Sequence, residues 1–143
     1  MRFWFDADLR GSFREPKSTG RCGRFDLSLR AEAEDVSRFA RERTARLTGT
    51  VTMEGVAVGV PVEGTLRVDP LGDREVVYDL SFRVEAARYR FLGRSAIRLL
   101  DPVVSATTVV GRIEQDGVTL ADAECRIGLV DLARVLASFG LSP

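Results

Sequence analysis

The chain has 143 residues, 45% of them hydrophobic, with 21 basic and 21 acidic side chains that leave no net charge. These values are typical of one globular domain, which we expect to span residues 1–143. The charges form no basic stripe of the kind that nucleic-acid binding requires. No signal peptide is evident, and no apolar run reaches the ~18 residues of a membrane-spanning helix. We therefore expect a cytoplasmic protein that neither binds nucleic acid nor spans a membrane.

The first half of the chain predicts four strands and one helix. Apolar and charged residues alternate over 2–10, and again over 25–31 after a loop that contains glycines, as they do in half-buried strands. Helical spacing of apolar residues, with opposite charges four apart, predicts a helix over 35–46. Two further strands are expected near 47–53 and 61–69, joined through a stretch rich in glycine and valine.

The second half predicts a meander of four strands and a closing helix. The strands are expected at 76–85, 89–100, 104–115 and 118–127. The first two are joined by the short connection 86–88, and Asp116-Gly117 is a strong hairpin signal between the last two. Apolar residues spaced i, i+3, i+4 and i+7 predict a helix over 131–139.

Sequential antiparallel strands leave two sheet edges that need protection. The usual solution is to close the sheet or to roll it strongly. We therefore predict a mainly β fold of about eight strands, either an up-and-down β-barrel or a rolled sheet, with one helix after strand 2 and a C-terminal helix. A homodimer through a barrel rim or an unpaired strand edge stays open.

Alternation in the second half separates a charged outward face from an inward face that mixes rings with small residues. The outward face carries Asp79, Arg83, Glu85, Arg90, Arg94, Arg98, Arg112, Glu114, Asp122, Glu124 and Arg126. A barrel of about eight strands either fills with side chains or holds one small ligand. Small inward residues such as Gly93 and Gly111 favour a cavity, and the alternative is a solid core. The candidate ligand-binding residues are Phe3, Phe5, Tyr78, Phe82, Tyr89, Phe91, Ser95, Thr107, Ala123 and Cys125.

The residue types exclude much conventional chemistry. The chain has no histidine, which removes Ser-His and Cys-His nucleophile pairs and His-containing metal sites. It also lacks the glycine-rich nucleotide-binding motifs. We predict no cofactor and no metal, and no catalytic residue is identified. Asp6 and Asp8 on one strand face, and Cys22 between Arg21 and Arg24, are weaker candidates whose alternative interpretation is ordinary surface residues.

Several stretches together resemble a known domain. They are Phe-Asp-Ala-Asp-Leu-Arg-Gly-Ser-Phe (5–13), Gly-Arg-Phe-Asp-Leu-Ser-Leu-Arg (23–30), Glu-Asp-Val-Ser-Arg-Phe (34–39), Leu-Thr-Gly-Thr-Val (47–51), Pro-Val-Glu-Gly (61–64), Val-Tyr-Asp-Leu-Ser-Phe (77–82) and Leu-Val-Asp-Leu-Ala-Arg-Val-Leu-Ala-Ser-Phe (129–139). Over most of its length the chain resembles the accessory, non-flavin domain fused to bacterial cholesterol-oxidase-like glucose–methanol–choline oxidoreductases. The resemblance implies a function close to apolar, sterol-like or polyketide-like substrates.

Two functional hypotheses follow. In the first, the barrel binds an apolar small molecule and, if it is an enzyme, templates a cyclisation or isomerisation by holding a reactive conformation, without a cofactor. In the second, the domain is a non-catalytic accessory module that docks onto an oxidoreductase or another enzyme. Trp4 lies opposite Phe3 and Phe5 in the alternation, so it either lines the barrel or anchors a partner.

Overall fold

The computed structural model describes residues 3–16, 20–33, 41–69, 75–96 and 107–128, with Phe3 and Phe5 described by their backbone alone. These residues form eight strands. The strands are β1 (Phe3–Arg14), β2 (Cys22–Ala33), β3 (Thr44–Met53), β4 (Ala57–Asp69), β5 (Glu75–Val84), β6 (Ala87–Ala96), β7 (Thr108–Gln115) and β8 (Val118–Ile127).

The eight strands form a closed antiparallel barrel in which each strand pairs with its neighbours in chain order. β1 and β8 would be the edges of an open sheet, and they pair through residues 9–14 and 122–127. The mainly β, up-and-down prediction is confirmed, and closure decides against the rolled sheet. Among the described residues, only the second half of β1 pairs with β8, and residues 3–8 have no partner there.

Several predicted boundaries differ from the structure. The helix predicted over 35–46 falls mainly outside the described residues; of the rest, residues 41 and 42 are helical, whereas 44–46 belong to β3. In that position Ala45 is buried against the core while Arg46 faces solvent. These residues therefore follow the alternation of a strand, and not the helix that the spacing of charges predicted. The helix predicted over 131–139 lies outside the described residues.

The connection between β5 and β6 is shorter than predicted. Residues 85–86 form a two-residue turn, with Glu85 at a φ of 55°. The Asp116-Gly117 hairpin is confirmed, because both residues have positive φ, 50° and 85°, as the favoured two-residue hairpin turn requires. Asp116 Oδ1 accepts a hydrogen bond from the backbone N–H of Arg88 at 3.0 Å, which ties the two hairpins together.

The two ends of the barrel differ. At one end, here called the short-turn end, the strands are joined by the turns 54–56, 85–86 and 116–117 and by the connection 15–21. At the other, the long-connection end, β1 begins, β8 ends, and the connections 34–43, 70–74 and 97–107 join the strands. Inward residues of all eight strands form one buried apolar cluster that runs between these ends.

Candidate functional site

The ligand-binding residues predicted from the sequence were expected on the inward face of the barrel. The structure confirms this orientation for Tyr78, Phe82, Tyr89, Phe91, Ser95, Ala123 and Cys125, all of which are buried. Their charged neighbours on the same strands, such as Arg83, Arg90 and Glu124, are exposed. At the inward positions of the described strands there is no charged side chain, so the interior is uniformly neutral.

The half of the interior near the short-turn end is filled by aromatic rings. Phe25 on β2 and Phe91 on β6 come from strands four apart in an eight-stranded barrel, and thus from opposite walls. Their ring centroids are 5.0 Å apart, so side chains occupy the barrel axis at this level. Phe82 and Tyr89 are directly opposite each other across β5 and β6 and stack at 5.1 Å with an interplanar angle of 7°.

The prediction that Gly93 and Gly111 open a cavity in the interior is wrong. A Cβ added at Gly93 would lie 2.6 Å from Cζ of Phe91 and 2.7 Å from Cγ1 of Val109, so these side chains already occupy that space. At Gly111 an added Cβ would collide with the backbone carbonyl of Leu92. This glycine allows two strands to approach closely, as bends in barrel strands require, and it does not enlarge the interior.

Three alanines face inward towards the long-connection end, among larger apolar side chains such as Leu47, Leu66 and Val76. Ala7 on β1, Ala31 on β2 and Ala45 on β3 all face inward there and are buried. Ala45 is opposite Leu66, which is in turn opposite Tyr78, so Ala45 and Tyr78 belong to one row across three strands. The three alanines were not predicted as site residues, although the alternation of β1 and β2 contains the necessary signal.

Tyr78 and Cys125 supply polar atoms in this apolar interior. Tyr78 is only 2% exposed. Among the described residues, no buried side-chain nitrogen or oxygen atom lacks a hydrogen-bond partner. Burial raises the pKa of Tyr78 well above its ordinary value of 10.0, and the nearby Cys125 raises it further. Burial also raises the pKa of Cys125 to about 12. Both groups therefore stay protonated and neutral near pH 7, where Cys125 is not a nucleophile.

The other predicted polar residues have structural partners. The Ser95 hydroxyl donates to the backbone carbonyl of Thr108 at 2.7 Å, which ties β6 to the start of β7. Thr107 lies in the turn before β7, not on the strand as predicted, and its carbonyl accepts a hydrogen bond from the N–H of Ile127 at 3.0 Å. Phe3 and Phe5 belong to β1, and their side chains lie outside the described part of the chain.

The outer wall contains the residues whose orientation or role the sequence left open. Trp4 is 53% exposed, and the guanidinium of Arg30 stacks over its ring at 4.3 Å from the centroid. Arg30 also donates to Oδ1 of Asp6 at 2.9 Å. Asp6 and Asp8 are both exposed on this outer wall, and the carboxylate of Asp6 forms a surface ion pair with Arg30. This arrangement does not resemble a catalytic carboxylate pair.

Cys22 borders a shallow groove of about 510 Å³ on the outside of the barrel. The arginines beside it contact other groups, because Arg21 donates to the carbonyl of Gly55 and Arg24 to the carboxylate of Asp26. Among the described residues, no group of three or more His, Cys, Asp or Glu side chains is arranged to hold a metal. Within the same residues, no helix has both the length and the apolar character that crossing a membrane demands.

Phe25 is the inward residue that sequence reasoning most clearly missed. Its ring meets Phe91 across the barrel, and its carbonyl oxygen lies 3.8 Å from Sγ of Cys125. Gly11 is opposite both Phe25 and Cys125, and its missing side chain lets the thiol reach across β1. The alternation over 25–31 predicts that Phe25 faces inward, but no local pattern predicts which ring it meets.

Comparisons of this chain with protein-family models, with curated proteins and with solved structures find no match.

Proposed function

We propose that the barrel binds one neutral apolar small molecule, of sterol, polyketide or lipid type, in the half of its interior near the long-connection end. The observation that carries this proposal is the uncharged, apolar inward face of the barrel, on which Tyr78 supplies a phenol hydroxyl. The phenol of Tyr78 could donate a hydrogen bond to a ligand carbonyl or hydroxyl. A few orienting groups in an apolar pocket are typical of small-molecule sites.

The size of the interior side chains favours the same half of the barrel as the position of the ligand. Phe25 and Phe91 fill the axis towards the short-turn end, whereas Ala7, Ala31 and Ala45 face inward towards the other end. A ligand in that half would contact the alanines on one side and Tyr78 on the other. The neutral inward face favours an uncharged ligand, because a buried charge without a partner is strongly disfavoured.

Any catalysis would arise because the barrel holds its substrate in a reactive conformation. The raised pKa of Cys125 keeps its thiol protonated at neutral pH, and the same holds for the phenol of Tyr78. A protonated phenol can donate a hydrogen bond to a carbonyl that develops negative charge. A barrel that holds a flexible polyene or polyketide in a reactive conformation could thereby template its cyclisation or isomerisation.

A fluorescent probe tests the binding. N-phenyl-1-naphthylamine is neutral and brightens in apolar surroundings, and we expect saturable binding that sterols, polyenes or long-chain polyketides displace. Trp4 is a poor reporter because it lies on the outer wall. Ala45→Phe should block the site, whereas Arg46→Phe, which introduces the same ring at the adjacent exposed position, should not. The absence of saturable binding to the unmodified protein, or equal losses in both variants, would contradict the proposal.

Tyr78→Phe tests the orienting role of the hydroxyl. The variant retains the ring, so the domain should remain folded. We expect it to bind progesterone, a steroid ketone, up to about tenfold more weakly, because one neutral hydrogen bond is worth about 0.5–1.5 kcal/mol. The affinity for squalene, which has no polar atom, should be unchanged. Equal changes for both ligands would mean that Tyr78 acts only through packing.

The alternative is an accessory module that docks onto an enzyme, and the exposed Trp4 favours it. Tryptophan and arginine are frequent anchors at interfaces, and Trp4 and Arg30 stack on the outer wall. Stoichiometric capture of an enzyme that Trp4→Ala abolishes, together with no binding of the apolar probe, would favour this alternative.

A further inference from the structure

A groove of about 780 Å³ crosses the outer wall of the barrel, away from the proposed interior site. Its floor follows one row of directly opposed residues on neighbouring strands, in which Ser81 on β5 is flanked by Glu63 on β4 and Arg90 on β6. Ser81 is small and exposed, whereas longer side chains stand on both sides of it. The groove is therefore open to solvent and walled by charged residues.

Arg83 and Arg88 form the positive wall of this groove. They are directly opposite each other across β5 and β6, and both are exposed. Side chains in such positions have Cβ atoms about 5 Å apart, and like charges there destabilise the pair. Within the described residues, neither guanidinium forms a hydrogen bond or an ion pair. Within the described residues, two adjacent positive charges thus lie at one groove without an ion pair, although the carboxylate of Asp116 is nearby and accepts a hydrogen bond from the backbone N–H of Arg88.

The other charges of the groove are largely compensated. Arg90 binds the carboxylate of Asp79 through two hydrogen bonds of 2.9 and 2.7 Å. Glu114 lies 3.9 Å from Arg112. Glu63 is an acidic residue of the groove, and it is on β4, on the far side of Ser81 from β6. An anion is therefore favoured at the end where β5 meets β6 and disfavoured at the β4 end.

We propose that this groove binds a small organic oxyanion, with its phosphate or carboxylate group held between Arg83 and Arg88 and its body lying over Ser81. Guanidinium groups match planar and tetrahedral oxyanions with paired hydrogen bonds, so two opposed arginines suit such a group. The bound anion would also relieve the repulsion between the two arginines. Pro61, Thr48 and Gly49 border the groove beyond Ser81 and provide a weakly polar surface for the body of the ligand.

Phenyl phosphate is a suitable probe, because it combines a phosphate with a small ring. At physiological ionic strength we expect saturable shifts of the arginine Nε–Hε NMR signals of Arg83 and Arg88. Arg83→Gln and Arg88→Gln should each weaken binding about tenfold or more, as expected for the loss of charge-assisted hydrogen bonds. Both positions are exposed, so the variants should fold, and their melting temperatures should stay the same or rise. Phenyl acetate, the uncharged analogue, should not bind.

Arg126→Gln is the matched control. Arg126 is exposed on β8 and directly opposite Arg10 on β1, so it is also part of an opposed arginine pair, but it does not line this groove. This control should bind phenyl phosphate as the unmodified protein does. Ser81→Glu should place a carboxylate beside the arginines and abolish binding. Absence of saturable shifts, or equal losses in Arg88→Gln and Arg126→Gln, would overturn the proposal, and neither result would affect binding of the neutral probe.

Discussion

Cys125 shows how burial alters a single residue in this barrel. Its thiol is 1% exposed, reaches over Gly11 and lies 3.8 Å from the carbonyl oxygen of Phe25. Removal from water disfavours the charged thiolate, and Asp26 and Glu124 add to this effect. The exposed Cys22 has none of this protection. The two cysteines of the chain are therefore chemically different although the sequence gives both as lone thiols.

This difference predicts a pH dependence of stability. The unfolded chain releases the Cys125 proton near its ordinary pKa of 9.0, whereas the folded protein retains it up to about 12. The free energy of unfolding should thus be unaffected by this group below pH 9 and fall by up to about 1.4 kcal/mol per pH unit above it. Denaturant titrations of Cys125→Ala should show a shallower alkaline decline than those of Cys22→Ala. Identical alkaline slopes in the two variants would contradict this prediction.

At the scale of elements, β8 illustrates how period-two alternation orients a strand. Ala123 faces inward and is buried between Phe13 on β1 and Gly111 on β7, while its neighbour Glu124 is exposed. Next to the Asp116-Gly117 turn, Gln115 is opposite Val118, but the register shifts by one residue between Glu114 and Ile113. Beyond this irregularity the register is the one that keeps Ala123 inside and Glu124 outside, because a slip of one residue would exchange the two faces.

The same strand offers a matched pair of substitutions. Ala123→Phe adds a ring beside Phe13 in a buried position and should lower the free energy of unfolding by about 1–3 kcal/mol. Glu124→Phe adds the same ring on the exposed face and should change it by less than about 0.5 kcal/mol. Chemical denaturation measures both values. Similar penalties at the two positions would mean that the inward and outward faces of β8 are exchanged.

At the scale of the whole molecule, closure brings together residues that are distant along the chain. Phe25 and Phe91 are on opposite walls, and their contact couples β2 to β6 through the interior instead of through backbone hydrogen bonds. The contact fills the barrel axis at its level, and Ala7, Ala31 and Ala45 face inward nearer the long-connection end. The position of the proposed ligand therefore depends on a contact that exists only in the closed barrel.

A double-mutant cycle tests this contact. Phe25→Leu and Phe91→Leu each remove one ring while keeping an apolar side chain, so the domain should remain folded. Because the two rings touch, we expect a coupling of about 0.5–1.5 kcal/mol in the free energy of unfolding. The control cycle pairs Phe25→Leu with Phe82→Leu, whose ring stacks on Tyr89, and it should be close to additive. Additivity in both cycles would argue against a filled axis.

Local patterns in the sequence determined the strands, their faces and one turn. Alternation of apolar and charged residues predicts the inward positions of Tyr78, Phe91 and Cys125, because successive side chains of a strand point to opposite faces. Asp116-Gly117 predicts its hairpin because these residues tolerate positive φ. Local patterns failed at 44–46, where charges spaced as in a helix lie on a strand that the barrel requires.

Tertiary structure alone decided closure, the contents of the interior and the charge partners. Whether β1 meets β8 depends on the bending accumulated over the whole sheet, to which glycines such as Gly111 contribute by close backbone approach. The filling of the space above Gly93 by Val109, and the contact of Phe91 with Phe25 across the barrel, follow from packing between different strands. Such contacts have no local signal, because each residue has the same neighbours along the chain whether or not the barrel closes.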